Sequence, residues 1–187
     1  DLEFTGLTQH PLFNEFDITL TSFNSAASYS GPAVNRLLKA SCGQPSHSQL
    51  YTGSQECYLF NNLAALGFEK ELVFNHDGKF DNFTSFVQNT GQINVSPMPL
   101  DKVAIAQRSF DSSPIYSDLE TLKQWSNNRN KKQTERTVTF YNSISLHDGN
   151  RFTGSRSKLN SLENFHPRAS QLLSDLNQFF KALEQSN

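Results

Sequence analysis

Phe23-Asn24-Ser25-Ala26-Ala27-Ser28-Tyr29-Ser30-Gly31-Pro32-Ala33-Val34-Asn35-Arg36-Leu37-Leu38 is where the chain changes period. Just before it, Asp17 to Phe23 alternates, with Ile18 and Leu20 on one face, as a strand does. From Gly31 onward the spacing is helical: Pro32 suits a first turn, and Ala33, Val34, Leu37 and Leu38 form one apolar stripe running towards Ser41. Gly43 and Pro45 stop it. A strand that gives way to a helix through a crowded Ser-Tyr-Ser-Gly-Pro turn marks the edge at which open α/β sheets keep their ligands. The expected fold is therefore α/β, with a site at this turn.

The flanking segments continue the alternation. Upstream, Leu12, Phe13 and Phe16 are spaced as on a short helix. Downstream, residues 43–56 form a polar loop, and Tyr58, Leu59, Leu63 and Leu66 read as a helix ending at Gly67. Leu72-Val73-Phe74 reads as a strand running into the turn Asn75-His76-Asp77-Gly78, after which Phe80, Phe83, Phe86 and Val87 make a helical stripe. Val103-Ala104-Ile105-Ala106 reads as a buried strand, and Phe110 to Pro114 as turn. Asp118 is placed to cap a helix carrying Leu119, Leu122 and Trp125, with the tract Asn127 to Lys132 as solvated loop. Thr137 to Ile144 is the strongest strand by β-branched and aromatic content, and it leads into Leu146-His147-Asp148-Gly149-Asn150. Phe165 to Leu183 repeats at helical spacing through the longest helix.

The totals bound the function. The 187 residues suffice for one domain with a real core and are too few for two ordinary ones, so residues 1–187 are expected to form a single domain. Hydrophobic residues make up 36% and mean hydropathy is -0.55, while 16 of the aromatic residues are Phe, so rings must supply much of the core. A formal charge of -2 gives no basic excess to attract nucleic acid or anionic lipid. No run approaches the roughly 18 apolar residues of a membrane span, and Asp1 opens neither a basic n-region nor an apolar h-region. The expected state is a soluble piece of something longer. Cys42 and Cys57 are the only cysteines and fit neither a zinc knuckle nor a redox motif, which leaves a disulfide or two buried thiols.

Three residues carry chemical potential. Ser30 opens the helix, and on local sequence it divides evenly between a plain N-cap and a phosphate-side nucleophile held against free N–H groups. There is no G-x-S-x-G elbow and no Walker A spacing, which disfavours serine hydrolases and P-loop NTPases. Tyr29 beside it either orients a substrate oxygen or packs. His147 follows the strongest strand with Asp148 and Asn150 beside it, placing a ligand or proton donor at a sheet edge; the alternative is a loop histidine bonded to backbone. His76 is a weaker copy after a shorter strand, and His166 on the long helix reads as structural.

The runs Phe23 to Ala33, Arg36 to Gln44, Cys57-Tyr58-Leu59-Phe60, Phe110 to Tyr116 and Thr139 to Asn150 together resemble the BcsG family of cellulose phosphoethanolamine transferases, in order and across nearly the whole chain. The resemblance implies an alkaline phosphatase/sulfatase-like three-layer sandwich with a mostly parallel central sheet, incomplete here because flanking strands are missing. It implies zinc-dependent transfer of phosphoethanolamine from the phospholipid phosphatidylethanolamine to glucose units of cellulose, through a covalent seryl intermediate. Ser30 matches the nucleophile and a zinc contact, Tyr29 the adjacent active-site tyrosine, and His147 a histidine that binds the transferred phosphate or serves as acid. Cys42 and Cys57 match a disulfide pair. The setting implied is the periplasmic domain of a bacterial inner-membrane protein working with a cellulose synthase complex. The remaining zinc ligands are expected outside this chain, so the chain alone is expected to bind zinc weakly, to be inactive, and to self-associate through uncovered sheet edges. Two other classes stay open: a glucan-binding module using Trp125, Tyr51, Tyr58 and Tyr116, and a disulfide-stabilised structural domain.

Overall fold

The computed structural model describes residues 7–16, 18, 23–43, 45–132, 134–155 and 161–185. Of the strand expected over 17–23, only residues 18 and 23 are described; the rest lies outside the described residues. Five α-helices and five strands alternate through the remainder: α1 Ser30–Leu38, α2 Leu59–Ala65, β1 Glu69–Phe74, α3 Phe83–Gly91, β2 Ile105–Arg108, β3 Pro114–Tyr116, α4 Asp118–Asn130, β4 Thr137–Asn142, β5 Arg151–Phe152 and α5 Ser161–Glu184.

The centre is the parallel pair β1 and β4, in register from Glu69 opposite Thr137 to Phe74 opposite Asn142. Its buried face supplies Leu72, Phe74 and Phe140 to a core completed by Val34 and Leu38 of α1, Phe60 of α2, Val87 of α3 and Ile93. Phe83 and Phe86 pack against that core, so rings fill much of it. On the far edge of β1, Pro97 makes a parallel bridge to Leu72 and the Met98 amide donates to the Leu72 carbonyl at 2.9 Å. Gly91 sits where α3 crosses α1; a Cβ there would come within 2.9 Å of Leu38 Cδ1, so the helix pair needs glycine at this crossing.

A second sheet, β3-β2-β5, is antiparallel. It is joined to the first just past β1, where the Tyr116 amide donates to the Asn75 carbonyl at 2.8 Å and His76 bridges Ile115. Among the described residues the parallel part of the architecture is thus two strands, beside a three-stranded antiparallel sheet. The strand expected over 103–106 forms two residues later and antiparallel, because Val103 is buried in the preceding turn while Gln107 and Arg108 pair with Ile115 and Pro114.

Helices α4 and α5 pack together, and the 3-10 turn Pro11–Glu15 seats Leu12 on α5 beside Ala169 and Leu173. The cap of α4 is Ser117, whose hydroxyl accepts from the Glu120 amide, rather than Asp118, and α4 continues to Asn130 through the tract expected as loop. Asp118 has another use, described below. Cys42 and Cys57 are disulfide-bonded, tying the end of the α1 segment to the start of α2. Within that loop Lys39 is buried, donating to the Leu50 carbonyl and lying 5.2 Å from the Tyr58 ring centroid.

Candidate active site

Because β1 and β4 run parallel, the loops at their carboxyl ends leave the sheet on the same side, next to the N-terminus of α1. Between them lies a cavity of about 410 Å³ lined by Ser30 and Gly31, by His76 and Asp77 after β1, and by Asn142 to Ile144, His147 and Asn150 after β4. Ser30 and His147 are brought to one cavity although 117 positions separate them (147 - 30).

Ser30 is not the cap of its helix. Tyr29 holds the extended N-cap conformation, at φ -123° and ψ 146°, with no side-chain capping bond. Ser30 is the first helical residue, and its hydroxyl makes no hydrogen bond among the described residues. Pro32 has no N–H, so the open donors of this turn are the amides of Ser30 and Gly31, at the positive end of the helix dipole. Tyr29 is 78% exposed and does not line the cavity.

His147 is exposed, and its Nδ1 lies 2.9 Å from the Asp148 carbonyl. A carbonyl only accepts, so Nδ1 carries the proton and Nε2 is left as the reactive nitrogen. The ring leans on Phe110, with centroids 5.7 Å apart. The loop is fixed from below by Arg168 of α5, 1% exposed, whose guanidinium donates to the carbonyls of Ser145 and His147 at 2.7 and 2.9 Å and to that of Asn164. Burial lowers the Arg168 pKa from its ordinary value. Asn164 also donates to the Asn150 carbonyl, so two side chains one turn apart on α5 grip this loop.

Asn75 fixes the other side. It is fully buried, accepts from the Ile144 amide at 3.0 Å and donates to Ser145 Oγ at 2.8 Å and to Asp118 Oδ1 at 3.2 Å. Asp118 also accepts from Tyr141 and Ser145, whose hydroxyls replace the water its buried carboxylate lost. Burial, then the Asp118 charge, raise the Tyr141 pKa, keeping the phenol a donor.

His76 is a structural member of the lining. Its Nδ1 accepts from the Gly78 amide at 3.1 Å, which places the proton on Nε2, 2.9 Å from Asn142 Oδ1. Its ring stacks on Phe74 at 5.1 Å, and burial lowers its pKa, so it is held neutral. His166 is exposed on α5.

The aromatic rings read as a glucan platform do not line this cavity. Trp125 donates to Glu71 Oε2 at 2.7 Å and packs on Phe179, and Tyr58 faces Lys39. The rings of the cavity are Phe80, Phe83, Phe86 and Phe110.

Among the described residues no three His, Cys, Asp or Glu side chains converge as metal ligands do. The described donor set does not by itself fit a zinc centre.

A helix N-terminus carrying a free serine, facing a histidine at the carboxyl edge of a parallel pair, is an arrangement suited to holding a tetrahedral anion beside a nucleophile. The family model described as the cellulose biosynthesis protein BcsG C-terminal domain matches residues 1–187. The chain belongs to this BcsG family. It is 44% identical over 187 residues to the cellulose biosynthesis protein BcsG of Salmonella typhimurium and 41% identical to that of Escherichia coli, with all of this chain covered in each case. The chain spans 33% of the length of these two BcsG relatives. No helix among the described residues is long and apolar enough to cross a membrane.

Sequence reasoning missed Asn75 and Arg168 as members of the site, and named Asn150 only as a neighbour of His147. The first was legible only as a turn residue. Nothing local marks an arginine on a long helix as fully buried.

Proposed function

We propose that this chain carries the nucleophile side of a phosphoethanolamine transferase of cellulose biosynthesis. The observation that carries the reading is Ser30, a first-turn serine with an unengaged hydroxyl in the same cavity as His147. Ser30 Oγ attacks the phosphorus of phosphatidylethanolamine as its proton passes to His147 Nε2; the bond to the diacylglycerol oxygen breaks, and that oxygen leaves as an alcohol carrying a proton returned by His147. The phosphoethanolamine then sits on Ser30 as a phosphodiester-like adduct until a glucose hydroxyl of cellulose attacks and frees the serine. The amides of Ser30 and Gly31 hold the phosphate oxygens, and His147 Nε2, once it carries the Ser30 proton, donates to a phosphate oxygen or to the leaving oxygen. Tyr29, exposed at the entrance of α1, orients the incoming substrate.

The parallel pair with helices packed about it is consistent with an alkaline phosphatase-like three-layer sandwich, of which these residues would be a part. The family resemblance adds zinc, with Ser30 as one ligand and the others beyond the described residues; no step above depends on it. The same reading places the domain in the periplasm, on a bacterial inner-membrane protein that meets the cellulose synthase complex.

The test is mass spectrometry of the full-length protein after incubation with phosphatidylethanolamine. A phosphoethanolamine adduct on the Ser30 peptide, absent in Ser30→Ala, is the expected result. An adduct that persists in Ser30→Ala overturns the assignment.

A further inference from the structure

Side chains alternate along a strand, so Val138, Phe140 and Asn142 of β4 share the face that looks into the core. Phe140 is buried there among apolar groups, and Asn142, next on that face, stands where the sheet ends and the cavity begins. An amide oxygen at such a place needs a donor. It has one: His76 Nε2 lies 2.9 Å from Asn142 Oδ1.

That contact runs in one direction only. The Gly78 amide donates to His76 Nδ1 at 3.1 Å, so the neutral ring carries its proton on Nε2, and Nε2 donates to Asn142 Oδ1. Turning the Asn142 amide over would set its NH2 against the ring N–H, donor against donor. The ring is itself held in place, stacked on Phe74 at 5.1 Å and tilted against Phe83 at 5.4 Å between centroids. Thr84 fixes the Gly78 loop, since its amide and its hydroxyl both donate to the Gly78 carbonyl, at 3.0 and 3.2 Å. Residue 78 has φ +65°, and a Cβ there would run into Thr84 Oγ1, so glycine is what lets this loop close on α3.

With Oδ1 committed to His76, the donors of Asn142 Nδ2 are left over. Nδ2 makes no hydrogen bond among the described residues, and the half-buried side chain lines the cavity that Ser30 and Gly31 also line. No Lys or Arg lines it among the described residues. Besides His147, the described donors that an anionic oxygen meets there are therefore neutral, and a preorganised side-chain amide suits that task.

We infer that Asn142 Nδ2 donates to a phosphoryl oxygen of the ligand, and that His76 is the positioning residue that aims it. The amide is oriented before the ligand arrives, so binding has no rotamer left to order. The inference rests on the reading of Ser30 as a phosphate-side nucleophile, and deepens it: the Ser30 and Gly31 amides take phosphate oxygens from the helix side, and Asn142 takes one from the sheet side.

The experiment is equilibrium dialysis of radiolabelled inorganic phosphate against the full-length protein carrying Ser30→Ala, with each variant checked for folding by circular dichroism. Asn142→Ala in this background is expected to weaken binding about tenfold or more. Two His76 variants separate aiming from packing. His76→Leu keeps an apolar group against Phe74 and Phe83 but removes the N–H, and is expected to weaken binding about fivefold, with no further loss once Asn142→Ala is present. His76→Gln puts an amide N–H near the former Nε2 and is expected to restore binding to within about twofold of the parent. A packing role for His76 predicts the reverse order, because Gln fits worse against the rings. Phosphate binding unchanged by Asn142→Ala, or no phosphate bound by the parent, overturns the contact. Binding in His76→Gln as weak as in His76→Leu overturns the aiming, as does a long-range 15N spectrum of the unsubstituted protein that places the His76 proton on Nδ1. The parent lacks Ser30 Oγ, so these outcomes do not depend on the Ser30 adduct, which mass spectrometry reads separately.

Discussion

One position separates capping a helix from opening it, and that difference decides what Ser30 is free to do. With Tyr29 as N-cap, the serine hydroxyl holds up no backbone group. Ser30→Ala is therefore expected to change stability by no more than about 0.5 kcal/mol in urea unfolding, against about 1 kcal/mol for a true cap. A loss of about 1 kcal/mol or more would show that the hydroxyl is structural. His76 makes the complementary case. Its folded pKa lies below the ordinary 6.5, so the unfolded chain takes up the proton first as pH falls. The contribution of His76 is then present above pH 6.5 and lost as the pH drops below it. The expected outcome is an unfolding midpoint that falls between about pH 7.5 and about pH 5 in the native sequence, and falls less in His76→Asn.

Helix α5 acts as a clamp on the loop after β4, through Asn164 and Arg168. Arg168→Met keeps most of the side-chain volume but leaves the Ser145 and His147 carbonyls without their buried donor, which costs roughly 2–4 kcal/mol. Hydrogen exchange across residues 145–150 should speed up more than exchange in β1, and uniform acceleration would mean that Arg168 supports the whole fold instead. The elements were legible in the sequence to the extent that they repeat. α1, α3 and α5 show helical stripes, and β1 and β4 carry continuous apolar or β-branched runs. β3 and β5, three and two residues long, are too short to show a period. The place of His147 was readable because it follows the strongest strand. The grip on it was not, since Arg168 and Asn75 find their partners in this loop at sequence separations of 21 to 70 and their burial leaves no local trace.

For the whole molecule, the described residues offer no three-ligand metal group. The isolated chain is expected to bind zinc no more tightly than micromolar in calorimetry and to show no transfer; a stoichiometric submicromolar site would overturn this. Among the described residues β4 pairs only with β1, leaving its other edge a template for a further strand. Light scattering is expected to show concentration-dependent association, and a monomer throughout would mean that the edge is covered. Finally, Trp125 is the single tryptophan, and it joins three elements: it lies on α4, donates to Glu71 on β1 and packs on Phe179 of α5. Its fluorescence is a built-in gauge of whether the α4–α5 layer remains seated on the sheet. Since Trp125 does not line the cavity, that signal separates variants that lose the layer from variants that lose only ligand contacts.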